Sequence, residues 1–229
     1  MIQIGSECIF NSTCEKILGI YFDNKLNFEE HVSKLCKKAS QKLDVLLARV
    51  SSFMSCRQRK IIMNAFIQSQ FSYCPLLWMC HSRSIHTKIN KIHERALRIV
   101  FGDNSSSFEQ LLEKSESVSI HHRNLQLLAI EMYKAINKLS PSLMTELFKT
   151  KDMKYKLRNE NTFASSNIHT TCYGIDSVSY LGPRIWDQVP NVIKNSNTLN
   201  IFKNKIKTWT PKHCPCRLCK VYIKNLGFL

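Results

Sequence analysis

The stretch KHCPCRLCK, residues 212–220, sets His213, Cys214, Cys216 and Cys219 within seven positions. Thiolate and imidazole are zinc ligands, and the two residues between Cys216 and Cys219 let both sulfurs reach one ion at ~2.3 Å while the backbone turns. Cys214 is the natural third ligand. His213 is adjacent to it and poorly placed for the same ion, so a tetrahedral site needs a further ligand from elsewhere. The spacing departs from paired zinc-finger patterns. Zinc held by Cys214, Cys216 and Cys219, and a reduced basic tail, therefore both stay open. In either case Arg217 and Lys220 place cations where a phosphate would meet them.

A second chemistry is spread along the chain. Lys88, Lys91, Arg95 and Arg98 recur at spacings of three, four and three, which aligns them along one side of a helix. Lys34, Lys37, Lys38, Lys42 and Arg49 give an earlier helix a similar face, and Arg57, Arg59 and Lys60 crowd the start of the next. A basic stripe alone is an ordinary solvated face. Three in succession, in a chain with 33 Lys and Arg against 17 Asp and Glu and a net charge of +16, point to a polyanionic partner.

Other chemistries lack their residues. Polymerase and nuclease sites need converging carboxylates to hold magnesium, and no such acidic pair stands out. Phe22-Asp23-Asn24 offers a single carboxylate and reads as a turn. There is no Gly-rich phosphate loop, no G-x-S-x-G elbow and no H-E-x-x-H. His121 and His122 open a helix, where adjacent rings cannot share one metal. No apolar run approaches the ~20 residues of a spanning helix, and Met1 is not followed by a secretory leader. The expectation is an intracellular protein, cytoplasmic or nuclear, without a membrane partner, whose ten cysteines are largely reduced.

The elements that must carry these side chains follow from periodicity. MIQIGSECIF and KILGIYFD read as the two arms of one β-hairpin across Asn11, Ser12 and Thr13. From Asn27 the period becomes helical, through Val32, Leu35, Ala39, Leu43, Leu46 and Val50, with Asn27 and Glu30 as the cap. Ser55 with Gln58 caps a second helix that Pro75 ends or kinks. A third runs from Ser84 to Gly102, suited to the left-handed residue after a helix. A fourth begins near Phe108 behind Ser106 and Glu109, and a fifth spans Ile120 to Leu139. Beyond Lys151 the sequence YKLRNENTFASSNIHTTCYGIDSVSYLGPRIWDQVP reads as strands and turns, and a last helix, Thr198 to Thr208, carries Ile201, Phe202 and Ile206 on one face. The fold class is mainly α: a short hairpin over 1–26, a helical bundle over 27–150 and a mixed α/β segment over 151–229.

The segments ILGIYFDNKLNFEEHVSKLCKKASQKL, RKIIMNAFIQSQFSYCPLLW and INKIHERALRIVF, in that order, resemble the region that follows the palm in reverse transcriptases of non-LTR, Jockey-like retrotransposons. The likeness continues through SVSIHHRNLQLLAIEMYKAINKLSP and SYLGPRIWDQVPNVIKNSNTLNIFKNKIKTW into the cysteine cluster. It implies that Leu18 and Gly19 form a primer-grip turn and that the helices form a thumb holding an RNA or RNA-DNA template-primer duplex. It also implies that fingers and palm, with the metal-binding aspartates, belong upstream in a longer polyprotein. The chain then has no polymerase activity of its own. The other reading is an inert relic or protein-interaction fragment, whose hairpin would be a loose edge with no sheet to join.

Overall fold

The computed structural model describes residues 2–4, 7–9, 12–49, 51–79, 83–148, 163–164, 174 and 177–211. Among them the chain forms ten α-helices and four short strands. Packing groups it into two compact units, residues 1–73 with 81–111, and residues 74–80 with 112–229. The division thus falls near Leu111 rather than near 150.

In the first unit the N-terminal apolar runs do not pair with each other. β1 (Ile2–Ile4) pairs with β2 (Glu7–Ile9), and β3 (Cys14–Ile17) pairs with β4 (Ile20–Asp23), giving two antiparallel hairpins where one was expected. Each run carries its own turn, and a short loop closes at lower entropic cost than the longer connection across Asn11 to Thr13. Each hairpin is a separate two-stranded sheet.

Helix α1 (Glu29–Lys42) starts behind Phe28, whose φ is 55°, with no side-chain cap. The expected Asn27 cap is replaced by Asp23, whose carboxylate accepts from the N–H groups of Lys25, Asn27 and Phe28 at 3.0, 3.0 and 2.7 Å. Partial burial pushes the Asp23 carboxyl up, but the donors from Asn27, Phe28 and Lys25 outweigh it and hold the group below the ordinary carboxylate range. Phe22 and Asp23 thus close strand β4 and the turn begins only at Asn24, one step later than the Phe22-Asp23-Asn24 reading has it, with the single carboxylate spent on backbone N–H groups. The helix continues as a wider π-helical stretch, Leu43–Ala48.

Helix α2 (Cys56–Ile62) has the full capping box of Ser55 and Gln58, and passes through a π-helical stretch, Met63–Ile67, into a 3₁₀ turn ending at Phe71. Helix α4 (Arg83–Phe101) follows its predicted span, and Gly102 takes the left-handed φ of 64° that closes it. Val32, Ala39 and Leu43 of the first helix meet Met63, Ile67, Ile89 and Ala96 in an aliphatic core. Full burial of each large member contributes about 1.5–3 kcal/mol. The box ahead of α5 (Phe108–Lys114) lies one residue later than expected: Ser107 and Gln110 exchange bonds at 2.8 and 3.3 Å, while Ser106 binds Asp103.

The second unit is built on α6 (Ile120–Ile136), capped by Ser119. Pro75 does not end a helix; it occupies the first turn of α3 (Pro75–Trp78), where its missing N–H costs nothing, and this helix packs its buried Trp78 in the same unit as α6. After α7 (Ser142–Leu147), residues 151–162 and 165–173 of the expected strand region lie outside the described residues. Residues 175–176 lie outside them too; Phe163 sits in a β-bridge, and from Val178 the chain is not strand but helix α8 (Val178–Gln188), capped by Ser177. Leu181, Ile185, Trp186 and Val189 are buried at helical spacing, so the helical period overrides the turn propensity of Gly182-Pro183. Gly182 is needed for the approach to α6: a Cβ there would lie 2.6 Å from Met132 Sδ and 2.9 Å from Phe148 Cε1.

Helix α9 (Asn191–Lys194) leads to α10 (Leu199–Ile206), capped by Thr198. Phe202 and Ile206 face the core, whereas Ile201 is half exposed, against expectation. The i,i+4 pair covers the contact with α6, and Ile201 falls beside it. Phe202 stacks on Tyr133 at 4.3 Å and on Trp186 at 5.9 Å, and the Tyr133 hydroxyl donates to Ser196 O at 2.6 Å.

Candidate nucleic-acid interface

The β3–β4 register pairs Ile17 with Ile20 and leaves Leu18 and Gly19 as a two-residue loop. Their φ angles, 48° and 87°, make it the type I′ turn whose twist matches paired strands. Glycine adopts that conformation freely, but leucine does so at a cost. Tyr73 holds the turn in place. Its hydroxyl donates to Leu18 O at 2.7 Å, and its ring lies beside Gly19, where a Cβ would meet Cε1 at 3.7 Å. Leu18 itself is 86% exposed. The turn is thus strained, pinned, and presents a bare aliphatic side chain to solvent.

Beneath the turn, β4 rests on α1. The Tyr21 N–H reaches His31 Nδ1 at 3.5 Å, and Phe22 meets Phe28 edge-on at 5.5 Å. Lys34 lies along the surface over β4: its ammonium is 3.5 Å from the centre of the Tyr21 ring and 2.6 Å from Glu30. The Glu30 hydrogen bond, set against some loss of solvation, raises the Lys34 pKa. Lys38 is exposed and Lys42 half-buried along the same helix.

The stripe on α4 divides into two kinds of residue. Lys88 and Lys91 are exposed and enter no ion pair among the described residues. Arg95 reaches Asp44 at 2.6 Å, with both side chains at least half exposed. Such a surface pair is worth about 0–1 kcal/mol and yields readily to a phosphate. Arg98 binds Glu94 at 2.7 Å, also donates to Asp103 O at 3.5 Å, and is only 25% exposed. It closes the end of its helix rather than facing outward.

The basic rows of α1 and α4 are neighbours. Besides the Asp44–Arg95 pair, Lys88 lies close enough to Cys36 for its charge to act on the thiol, which burial nonetheless pushes up to about 11. Arg57 is exposed in the first turn of α2, while Arg59 is turned inward and donates to Ile99 O at 2.8 Å. The structure thus brings Lys38, Arg57, Lys88 and Lys91 to the surface of one unit, holds Lys34 and Arg95 there in exposed ion pairs with Glu30 and Asp44, and draws Arg98 toward Glu94 and Asp103.

Sequence reasoning missed Tyr73, Asp44 and His31, each of which acts through a partner distant in the chain with no local motif to announce it. Arg217, Lys220, Cys214, Cys216 and Cys219 lie outside the described residues. Among the described residues no three metal-ligating side chains converge, and Cys14, Cys36, Cys56 and Cys74 are free thiols. No helix among them is long and apolar enough to cross a membrane. No protein-family model, curated protein or solved structure matches the chain.

Proposed function

We propose that this chain is the primer-grip and thumb portion of a non-LTR retrotransposon reverse transcriptase, which holds an RNA or RNA-DNA duplex through its backbone and leaves polymerase chemistry to a separate palm. The observation that carries this reading is the Leu18–Gly19 turn, strained, pinned by Tyr73 and exposed beside a basic helix. Lysines along α1 and α4 and at the start of α2 suit phosphates spaced along a strand, and contacts of that kind position a duplex without reading its sequence.

Changing Lys38, Arg57, Lys88 and Lys91 together to glutamine should weaken duplex binding by a similar factor for every sequence. On B-DNA the slope of log affinity against log salt should shrink by about 0.9 for each phosphate that is no longer neutralised. Unchanged affinity and slope would assign the rows to plain solvated surface.

A second reading has its own support. The β3–β4 sheet has no third strand among the described residues, and Ile17, Phe53, Ile61 and Phe66 are exposed in the same unit. An open edge and bare apolar side chains suit a protein partner that adds a strand. Self-association of the purified chain that Ile17→Lys abolishes, together with no duplex binding, would favour that reading.

A further inference from the structure

The second unit holds a cleft of about 720 Å³ in which two helices present stripes of identical spacing. From α6 come Arg123, Gln126, Leu127 and Ile130; from α10 and its last turn come Asn200, Lys203, Asn204 and Lys207. Both sets follow i, i+3, i+4, i+7, so each is a continuous helix face. The two helices run antiparallel, because Gln126 Nε2 donates to Lys207 O and Trp209 O at 3.1 and 2.7 Å while Tyr133, two turns on, reaches back to Ser196. Arg123 therefore lies toward the Lys207 end, and Ile130 toward Asn200 and Lys203.

This arrangement gives the cleft two chemically different ends. One is cationic and carries the half-buried Arg123, whose guanidinium burial pulls below its usual range. The other joins an aliphatic wall to the Asn200 carboxamide, with the Lys203 ammonium one helical turn along to meet a neighbouring phosphate of the strand. Three cations, Arg123, Lys203 and Lys207, stand against one carboxylate, the exposed Glu116 at the rim. Lys207 Nζ donates to Asn204 Oδ1 at 3.3 Å, so that amide turns its oxygen to the lysine and has its N–H groups to offer an acceptor. A ligand matching all of this has an anionic head, a flat apolar body and hydrogen-bonding edges, within the several hundred Å³ usual for a small-ligand site. A plain phosphate would leave the aliphatic wall unused. An acyl chain would leave the carboxamides unused.

We infer that the cleft binds one unpaired nucleotide of a nucleic-acid strand, with its phosphate between Arg123 and Lys207 and its base against Leu127 and Ile130, edged by Asn200. This site is separate from the duplex-gripping rows, and its failure would leave that reading standing.

The test uses the full chain and a fluorescent five-nucleotide single-stranded RNA. Lys203→Gln with Lys207→Gln should weaken binding about tenfold or more, since charge-assisted bonds to phosphate are removed, with an unchanged thermal melt. Lys138→Gln, an exposed lysine outside both the cleft and the basic rows, should leave this binding as it was. A nucleoside 5′-monophosphate should compete about tenfold better than ribose 5-phosphate, the difference being the base's stacking and edge contacts, and Asn200→Leu should narrow that gap. Equal competition by the two would reduce the cleft to a simple anion site and overturn the inference. So would pentamer affinity unaffected by the double lysine variant, or binding to phosphatidylserine vesicles in place of the pentamer.

Discussion

The two units use the same surplus of positive charge in different geometries. In the first, lysines stand on open helix faces above an aliphatic core of Val32, Ala39, Leu43, Met63 and Ile67. In the second, cations rim a recess beside a chain of aromatic contacts running from Phe148 through Phe163, Trp186 and Phe202 to Tyr133. An open row meets charges repeated along a strand and is indifferent to what lies between them. A recess meets one group and can discriminate its shape. A recess keeps its form only if its walls are rigid, and interlocked rings supply that rigidity better than aliphatic side chains do.

The comparison is broken most directly at Phe202. It is fully buried, stacked on both Tyr133 and Trp186, and shares α10 with Lys203 and Asn204. Phe202→Ala should cost about 3–5 kcal/mol. The measurement is denaturant unfolding of the full chain, with pentamer binding followed in parallel. A loss below about 1 kcal/mol would mean that the rings are packed but not decisive, and the contrast between the two cores would fall.

Gly182→Ala sharpens the same point with a smaller change. The added methyl would fall 2.6 Å from Met132 Sδ and 2.9 Å from the Phe148 ring edge, so α8 must retreat or both side chains must shift. Overpacking of this kind costs about 1–3 kcal/mol. Because the Met132 end is flexible, Met132→Ala in the Gly182→Ala background should recover part of the loss beyond the sum of the single effects. Strict additivity of the two changes would show that the contact does not set the helix spacing.

How far the sequence discloses these features depends on how local their causes are. The Ser55–Gln58 box and the Gly102 terminus are written within one helical turn, and the structure has both where the spacing puts them. The long α4 needs only a sustained 3.6 period. The hairpin pairing, by contrast, is a choice between two turns, and the apolar runs alone suit either. Helix α8 is hidden by Gly182-Pro183, whose turn signal is local while the reason for the glycine, the approach of Met132, lies fifty residues earlier in the chain. Half of the α4 stripe is tied up by acids: Glu94, four residues away, was legible, but Asp44, fifty-one away, was not. The polar face Asn200-Lys203-Asn204-Lys207 was readable as spacing. That it faces Arg123 across a cleft is a tertiary fact.

The smallest effect belongs to the first unit and separates its polar support from its charge rows. His31 is 2% exposed, and its Nδ1 accepts the Tyr21 N–H that ties β4 to α1. Burial first, and the charge of Lys38 second, lower its pKa below the ordinary 6.5. The folded chain therefore resists protonation there, while the unfolded chain takes up a proton as pH falls through about 6.5. The stability this group contributes is complete above that pH and declines as pH falls from there toward the lowered folded value, by at most about 1.4 kcal/mol per pH unit for one proton. Denaturant midpoints taken from about pH 7.5 to 5.5 should drop more steeply in the native sequence than in His31→Gln, which does not titrate in this range. The double variant Lys88→Gln with Lys91→Gln should keep the native slope, since neither lysine acts on His31. Equal slopes for the native sequence and His31→Gln would show that the imidazole is as easily protonated folded as unfolded, and that the seat of the Leu18–Gly19 turn on α1 does not depend on its neutrality.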